Sequence, residues 1–372
     1  MQQSGPLRPR GGRSAERARA GEVRVMAGVA FLDAMAPRAY SGAPGDLAGF
    51  GGTEATLVRI CEGLAADRPV TVHQAARATG PVQVNGVRYS GWDVSCPLEE
   101  RPDVIVVVNS WKIAAKIARQ HPGARVIVWQ RVFPGRHNPV HAAGLRAAGI
   151  EVICASAAHA RWLRGFAGRD AVSISHIPNP IADDMAPDDT ARAPDLLLYA
   201  SSPHKGLAQV FQRFEVLRSR IPTLRLAVAD PGYLAWPTGR VPDGVLSCGK
   251  LSQADLHQQM RHAHCLFYPQ DQFAETFGLV IAEANALGCP ALLQRGLGAN
   301  DEVASDPSQC IDTTDSDAIA LRVRHWRASP PGTPLAAARS EFRLSRVVAL
   351  WRAKTACAAA PEDERMLETK SL

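Results

Sequence analysis

DQFAETFGLVIAEANALGCPAL, residues 271–292, is the stretch on which the reading of the chain turns. From Gly278 to Leu287 nearly every position is apolar or small: Leu279, Val280, Ile281, Ala282, Ala284, Ala286. A helix that is apolar all round is a buried helix. Glu283 lies in its middle, where a carboxylate without a partner is costly. Glu275 stands in the loop that leads in. Thr276, Phe277 and Gly278 form the helix start, where unclaimed backbone N–H groups and the positive end of the dipole favour an anion. Gly278 lets a ligand approach the backbone closely. Such a start suits a diphosphate. Glu283, two turns in, suits both hydroxyls of a ribose, and Glu275 suits the hydroxyls of a sugar. The plainer alternative stays open: Glu283 salt-bridged to a basic neighbour, and Glu275 solvated.

Outward from this stretch, apolar runs alternate with helical patterns almost from end to end. The strand candidates of the first half are 23–31, 70–74, 103–108, 125–130 and 151–156, with helices over 53–66, 110–119, 139–148 and 157–167. The second half repeats the pattern, with strands at 196–200, 225–230, 244–249, 264–269 and 290–294. Runs apolar on both faces mark parallel strands covered by helices on both sides. Alternation of this kind predicts an α/β protein with right-handed crossovers. Leu207, Val210, Phe211, Phe214 and Leu217 make one apolar stripe over 206–220. Ser252 and Asp255 form a capping-box signature before 252–262. Residues 181–195 are rich in Asp, Pro and Ala without periodicity and read as a linker. Its acidic pairs, Asp183-Asp184 and Asp188-Asp189, read as solvated. A last helix near 344–357 carries Leu344, Val347, Val348 and Trp351 on one face.

Length and composition agree with two domains. The chain has 372 residues, 46% hydrophobic and 21% charged, which is ordinary for a soluble globular protein. The net charge is +6, and the Arg-rich stretch 1–22 holds part of it. A nucleic-acid partner would want a concentrated basic stripe with aromatics, and none is seen. The eight cysteines are scattered, without a C-x-x-C pair, and read as thiols in a reducing compartment. No signal core and no long apolar span is present. The expectation is a cytosolic protein, with peripheral contact to a membrane left open.

The run ETFGLVIAEANALGCP resembles the Glu-x7-Glu motif of the retaining GT-B glycosyltransferases known as family 4 or group 1. The resemblance implies Glu283 on the donor ribose, Glu275 on the donor sugar, and the backbone of Phe277, Gly278 and Leu279 at the phosphates. Other segments agree in order. Gly51-Gly52-Thr53-Glu54 opens a helix after a long loop; in the family this turn meets the diphosphate and the acceptor side, and by itself it reads equally as a flexible turn. HIPNPIADD (176–184) places Asn179 before the linker, and YASSPHKGL (199–207) carries Lys205, a cation suited to a departing diphosphate and, taken by itself, more readily an ordinary exposed residue at a helix start. GLGANDEV (296–303) is similar to a Gly-rich loop of the family ending in Glu302. The likeness covers roughly 23–355 and implies a GT-B fold: two doubly wound Rossmann-like domains facing across a cleft. The division is then a tail (1–22), an acceptor-side domain (23–182), a linker (183–195), a nucleotide-sugar domain (196–343), a C-terminal helix packing back on the first domain (344–360) and a tail (361–372).

The sequence departs from the family at two places. Ser201 and Ser202 stand where many members have an Arg before the Lys, which leaves Ser202 among the donor contacts. Gln130, after Trp129, stands near the place of a His that lines the sugar site, and is expected to bind the sugar instead. Arg131, Arg136 and His137 are candidates for the missing cation, or solvated loop charges. The only D-x-D, Asp315-Ser316-Asp317, directly precedes a helical pattern and reads as a cap rather than a metal site. The expected reaction is therefore retaining transfer of a sugar from a nucleoside diphosphate to a glycan, a lipid-linked or another hydroxyl acceptor, without metal or other cofactor. A nucleotide-sugar-binding protein without turnover and a nucleotide-sugar epimerase are the alternatives. A dinucleotide oxidoreductase fits poorly, since no strand is followed by G-x-G-x-x-G.

Overall fold

The computed structural model of the chain describes residues 28–47, 49–135, 139–168, 172–330 and 339–356. Arg136 and His137 lie outside them, as does most of the expected first strand before Gly28. Two sheets are present. The first has eight strands in the order β3-β4-β2-β1-β5-β6-β7-β8. These are β1 (Val29–Asp33), β2 (Val70–Gln74), β3 (Val82–Val84), β4 (Val87–Gly91), β5 (Val104–Val108), β6 (Arg125–Gln130), β7 (Glu151–Cys154) and β8 (Ile174–His176). The second has six in the order β11-β10-β9-β12-β13-β14: β9 (Ala193–Ala200), β10 (Arg225–Ala229), β11 (Val245–Gly249), β12 (Ala263–Tyr268), β13 (Ala291–Gln294) and β14 (Cys310–Ile311). All pairings are parallel except the hairpin β3–β4. Each sheet with its helices is a doubly wound α/β domain, and together they form a GT-B fold.

The apolar runs lie where parallel strands need them. All five residues of β1 and of β5 are buried, as are all six of β12. In β1 successive side chains serve opposite faces. Val29 and Phe31 join a core with Leu57, Ile60 and Leu64 of helix α1 (Gly52–Ala65). Ala30 and Leu32 join another with Trp111 of α2 (Trp111–Gln120), Leu145 of α3 (Pro139–Ala147) and Leu163 of α4 (Ala157–Ala167). In the second domain the stripe of α5 (Leu207–Arg220) is buried as its spacing predicts. Ser252 accepts from the Asp255 amide and caps α6 (Gln253–His262).

The hairpin β3–β4 is absent from the expected strands. Its turn is Asn85-Gly86, both at positive φ, between VQV and VRY. This is the pattern of a two-residue hairpin, whose twist matches that of its strands. β9 begins at Ala193, inside the expected linker. Two of the linker's acids, both exposed to solvent as expected, also have partners: Asp183 accepts from the Ser345 amide at 3.1 Å, and Asp188 pairs with Arg261. A short helix, α8 (Asn300–Val303), is a further element outside the expected ones. No described helix is long and apolar enough to cross a membrane.

The last helix, labelled α10 (Leu344–Lys354), follows α7 (Leu279–Ala286) and α9 (Ser316–Ala328) in the chain, yet its apolar face lies in the first domain. Trp351 is fully buried, 4.8 Å from the Trp129 ring and 6.1 Å from that of Phe31. Trp351→Ala should cost about 3–5 kcal/mol, the usual range for a large buried aromatic. The loss should appear as earlier urea unfolding of the first domain, followed by the fluorescence of its remaining tryptophans.

His159, in the first turn of α4, is buried under the Phe133 ring at 5.1 Å. Burial, with the positive charge of Arg131 adding to it, pushes its pKa down to about 4. A His whose folded pKa is depressed contributes stability above its unfolded pKa and loses it as pH falls toward the folded value. Wild-type protein should therefore lose about 2 kcal/mol between pH 7 and pH 5 that a His159→Leu variant does not lose. Urea unfolding of both proteins at the two pH values reads this difference directly.

Candidate functional site

In an open parallel sheet, ligands bind beyond the carboxyl ends of the strands, where the strand order reverses. In the second domain that place lies between β9 and β12. Chain leaving β9 carries Ser201, Ser202 and Lys205; chain leaving β12 carries Glu275 and the start of α7. Topology alone thus brings Lys205 and Glu275 together. Lys205 Nζ lies 2.9 and 3.1 Å from the two carboxylate oxygens of Glu275, and the Tyr268 hydroxyl donates to the same carboxylate at 3.1 Å. Burial pulls the Lys205 pKa down, but the charge and hydrogen bonds of Glu275 outweigh it and the net shift is upward. Lys205 is therefore a cation at any physiological pH. Its ammonium also lies 4.9 Å from the centre of the Phe273 ring.

The backbone of Glu275 is held as firmly as its side chain. Its carbonyl accepts from the Ala299 amide at 3.0 Å. Gly298, at φ +56°, presses so close that a Cβ there would lie 2.4 Å from that carbonyl oxygen. Residue 298 is a glycine because the loop passes against the backbone of Glu275 there.

Gly278, at φ +91°, starts α7 with no side-chain cap. Among the described residues the Leu279 and Val280 amides of its first turn have no partner, whereas that of Ile281 donates to the Gly278 carbonyl at 3.0 Å. Phe277 is fully buried and packs edge-on against Phe342 at 5.0 Å, so of the segment 277–279 only backbone and Leu279 reach the cleft side. Glu283 is 7% exposed and forms no ion pair among the described residues. Burial raises its pKa, opposed by the charge of Arg59 on α1 and a hydrogen bond from Gln253 on α6. The carboxylate thus stands between the two domains with a cation near it but not closed onto it. Arg59 and Tyr268 carry no sequence signal of a site: one reads as a polar helix position, the other as core of an apolar strand.

From the first domain, α1 presents its start to α7. Gly51 is its cap residue, and Gly52 lies so near the Leu279 side chain that a Cβ would meet Cδ1 at 2.8 Å. Glu54 folds back toward the Gly51 backbone and claims part of this helix start for itself. Two further contacts bind the domains together. Thr276 Oγ1 donates to the Arg131 carbonyl at 2.8 Å, and the carboxylate of Glu302 accepts from the Ala157 and Ala158 amides, both at 2.8 Å. Glu302 is thereby an N-terminal partner of α4 in the other domain.

The remaining expected residues fall differently. Ser202 is buried, with its hydroxyl 2.8 Å from His204 Nδ1 and its carbonyl accepting from Tyr199. Gln130 is not brought to the cleft. It is fully buried; its amide oxygen accepts from Trp111 Nε1 at 2.8 Å and its amide nitrogen donates to the Val132 carbonyl at 2.6 Å. The next residue, Arg131, points the other way and donates to the Gly52 carbonyl of α1. Asn179 is buried with its side-chain oxygen unpartnered. Asp315 accepts from the Asp317 and Ala318 amides as the cap of α9, and no cluster of His, Cys, Asp or Glu among the described residues is placed to hold a metal ion.

Comparison with known proteins agrees with this fold. Residues 196–341 match the family described as glycosyl transferases group 1. No curated protein matches the chain. Among solved structures, AviGT4, a glycosyltransferase involved in avilamycin A biosynthesis, aligns with a TM-score of 0.58 at 19% identity, over 88% of this chain and 96% of that one. The α,α-trehalose-phosphate synthase (UDP-forming) of Burkholderia vietnamiensis aligns at 0.54 and 11% identity, over 88% and 96%. The pneumococcal O-GlcNAc transferase GtfA, in complex with UDP and GlcNAc, aligns at 0.53 and 12%, over 67% of this chain and 56% of that one. At such identities the likeness to these structures is one of fold. Fold and family match agree: the chain has the GT-B fold of these structures, and its residues 196–341 are similar to the glycosyl transferases of group 1.

Proposed function

We propose that the protein transfers a sugar from a nucleoside diphosphate donor to a hydroxyl acceptor with retention at the anomeric carbon and without a divalent metal. The observation that carries this reading is the arrangement at α7: an uncapped helix start, a buried carboxylate without an ion pair one turn and a half inside, and a Lys205–Glu275 pair at its mouth. In this reading the ribose hydroxyls rest on Glu283 and the diphosphate on the first-turn amides of α7. Glu275 exchanges part of its hold on Lys205 for the sugar hydroxyls, and Lys205 turns its charge to the phosphate. The bond from the anomeric carbon to the diphosphate oxygen then breaks, its electron pair leaving with the diphosphate. The acceptor oxygen bonds to the same face of the carbon, and its proton passes to the departing phosphate. Preorganised donors aimed at that developing charge are worth about 3–4 kcal/mol each. Gln130 has no part in this reading, since both ends of its amide are spent inside the first domain. The acceptor is a glycan, a lipid-linked saccharide or a small molecule.

UDP-sugars are the first donors to try, because two of the structural neighbours carry UDP in their names. With an active donor–acceptor pair, Lys205→Ala should lower kcat by roughly a hundredfold to a thousandfold. Glu283→Ala should weaken donor affinity by about tenfold while leaving kcat closer to normal. Near-normal kinetics in both variants would remove the assignment. Binding of nucleotide sugars without transfer or hydrolysis across a broad panel would instead favour a binding protein, and release of an altered free sugar would favour an epimerase. Gly298→Ala touches no ligand, yet should lower kcat, because the added methyl must displace the Glu275 backbone; an unchanged kcat in a folded variant would separate that loop from the site.

A further inference from the structure

We propose that Arg131 reaches the diphosphate of the donor from the first domain and supplies the second positive charge on the leaving group. The inference rests on the donor reading above.

Arg131 is 5% exposed, and its guanidinium stacks over Trp129 with 4.5 Å between guanidinium carbon and ring centre. Nη2 donates to the Gly52 carbonyl at 3.2 Å. Among the described residues Nε and Nη1 have no hydrogen-bond partner. The groups that face it are Glu54, the Tyr40 hydroxyl and His159. None closes on it. Glu54 is turned back to the start of α1, Tyr40 donates to Asp33 at 2.7 Å, and His159 is held neutral. Burial lowers the Arg131 pKa to about 9, against the negative charge of Glu54, so the group remains a cation at neutral pH.

A buried cation with two unused donors is expensive, and proteins rarely keep one without an anion to meet it. The guanidinium fork suits two phosphate oxygens at once. Its position selects the anion. Gly52, which it holds, touches Leu279 in the first turn of α7, and the Arg131 carbonyl accepts from Thr276 just before that helix. An anion resting on the α7 start therefore lies beside this guanidinium. The second domain leaves room for such a contribution: Ser202 Oγ is spent on His204, and Lys205 is shared with Glu275.

The test compares wild type, Arg131→Gln and Arg131→Lys in the full chain. Calorimetry is run with UDP, GDP and ADP, each beside its nucleoside. Arg131→Gln should lose roughly tenfold or more in affinity for the preferred diphosphate, the scale of one charge-assisted hydrogen bond. Its affinity for the nucleoside should stay within about twofold, and Arg131→Lys should recover part of the loss. The ligand-free Arg131→Gln protein should melt no lower than wild type, since an uncompensated buried charge has been removed. Unchanged diphosphate affinity, or equal losses for diphosphate and nucleoside, would overturn the proposal. So would an effect confined to the acceptor, which would place an anionic acceptor group on Arg131 instead. If wild type itself binds no nucleoside diphosphate, the donor reading falls first; if wild type binds and Arg131→Gln binds equally well, only the role of Arg131 falls.

Discussion

In the proposed reading the start of α7 has to be open to a ligand and yet fixed in space, and the surrounding contacts fit that demand. Openness comes from Gly278, whose left-handed conformation begins the helix without a side chain folding over its amides. Fixity comes from three directions. The Gly298 loop presses on the Glu275 backbone from one side, Phe277 is anchored in apolar packing below, and Thr276 is tied to Arg131 across the cleft. A helix dipole is a weak attraction in water and a useful one where solvent is excluded. The start of α1 adjoins the start of α7 through Gly52 and Leu279 and shields it on that side.

The same contacts explain why the two domains act as one device. Glu302 caps a helix of the opposite domain, and Trp351, near the end of the chain, fills the core of the first. Arg59, on α1, supplies the charge that offsets the burial of Glu283 in the other domain. Each domain therefore completes a part of the other's chemistry. In the proposed reading, a site divided in this way depends on how the domains are set, which would tie catalysis to their closure around the substrates.

Much of the fold was legible because its signals are local and repeated. Fully buried parallel strands read as unbroken apolar runs, and β1, β5 and β12 are such runs. The stripe of α5 and the cap at Ser252 follow from helix geometry alone. The Asn85-Gly86 hairpin was equally written in the sequence, in strands too short to stand out among longer ones. At the site, the positions of Lys205 and Glu275 follow from topology, since both leave the strands that flank the switch point. Their mutual ion pair does not, because it depends on the path of two loops. Gln130 shows the limit most clearly. An amide at the end of a strand faces either the cleft or the interior, and one residue decides which; here Trp111 takes Gln130 inward and leaves Arg131 facing α1.

The central claim is that the α7 start holds a diphosphate while Glu283 holds the attached nucleoside. A crystal structure with a bound nucleoside diphosphate tests it most directly. The account predicts phosphate oxygens within hydrogen-bonding distance of the first-turn amides of α7 and both ribose hydroxyls on the Glu283 carboxylate. A nucleotide bound elsewhere, or Glu283 drawn into an ion pair with Arg59 while the nucleotide is present, would contradict it.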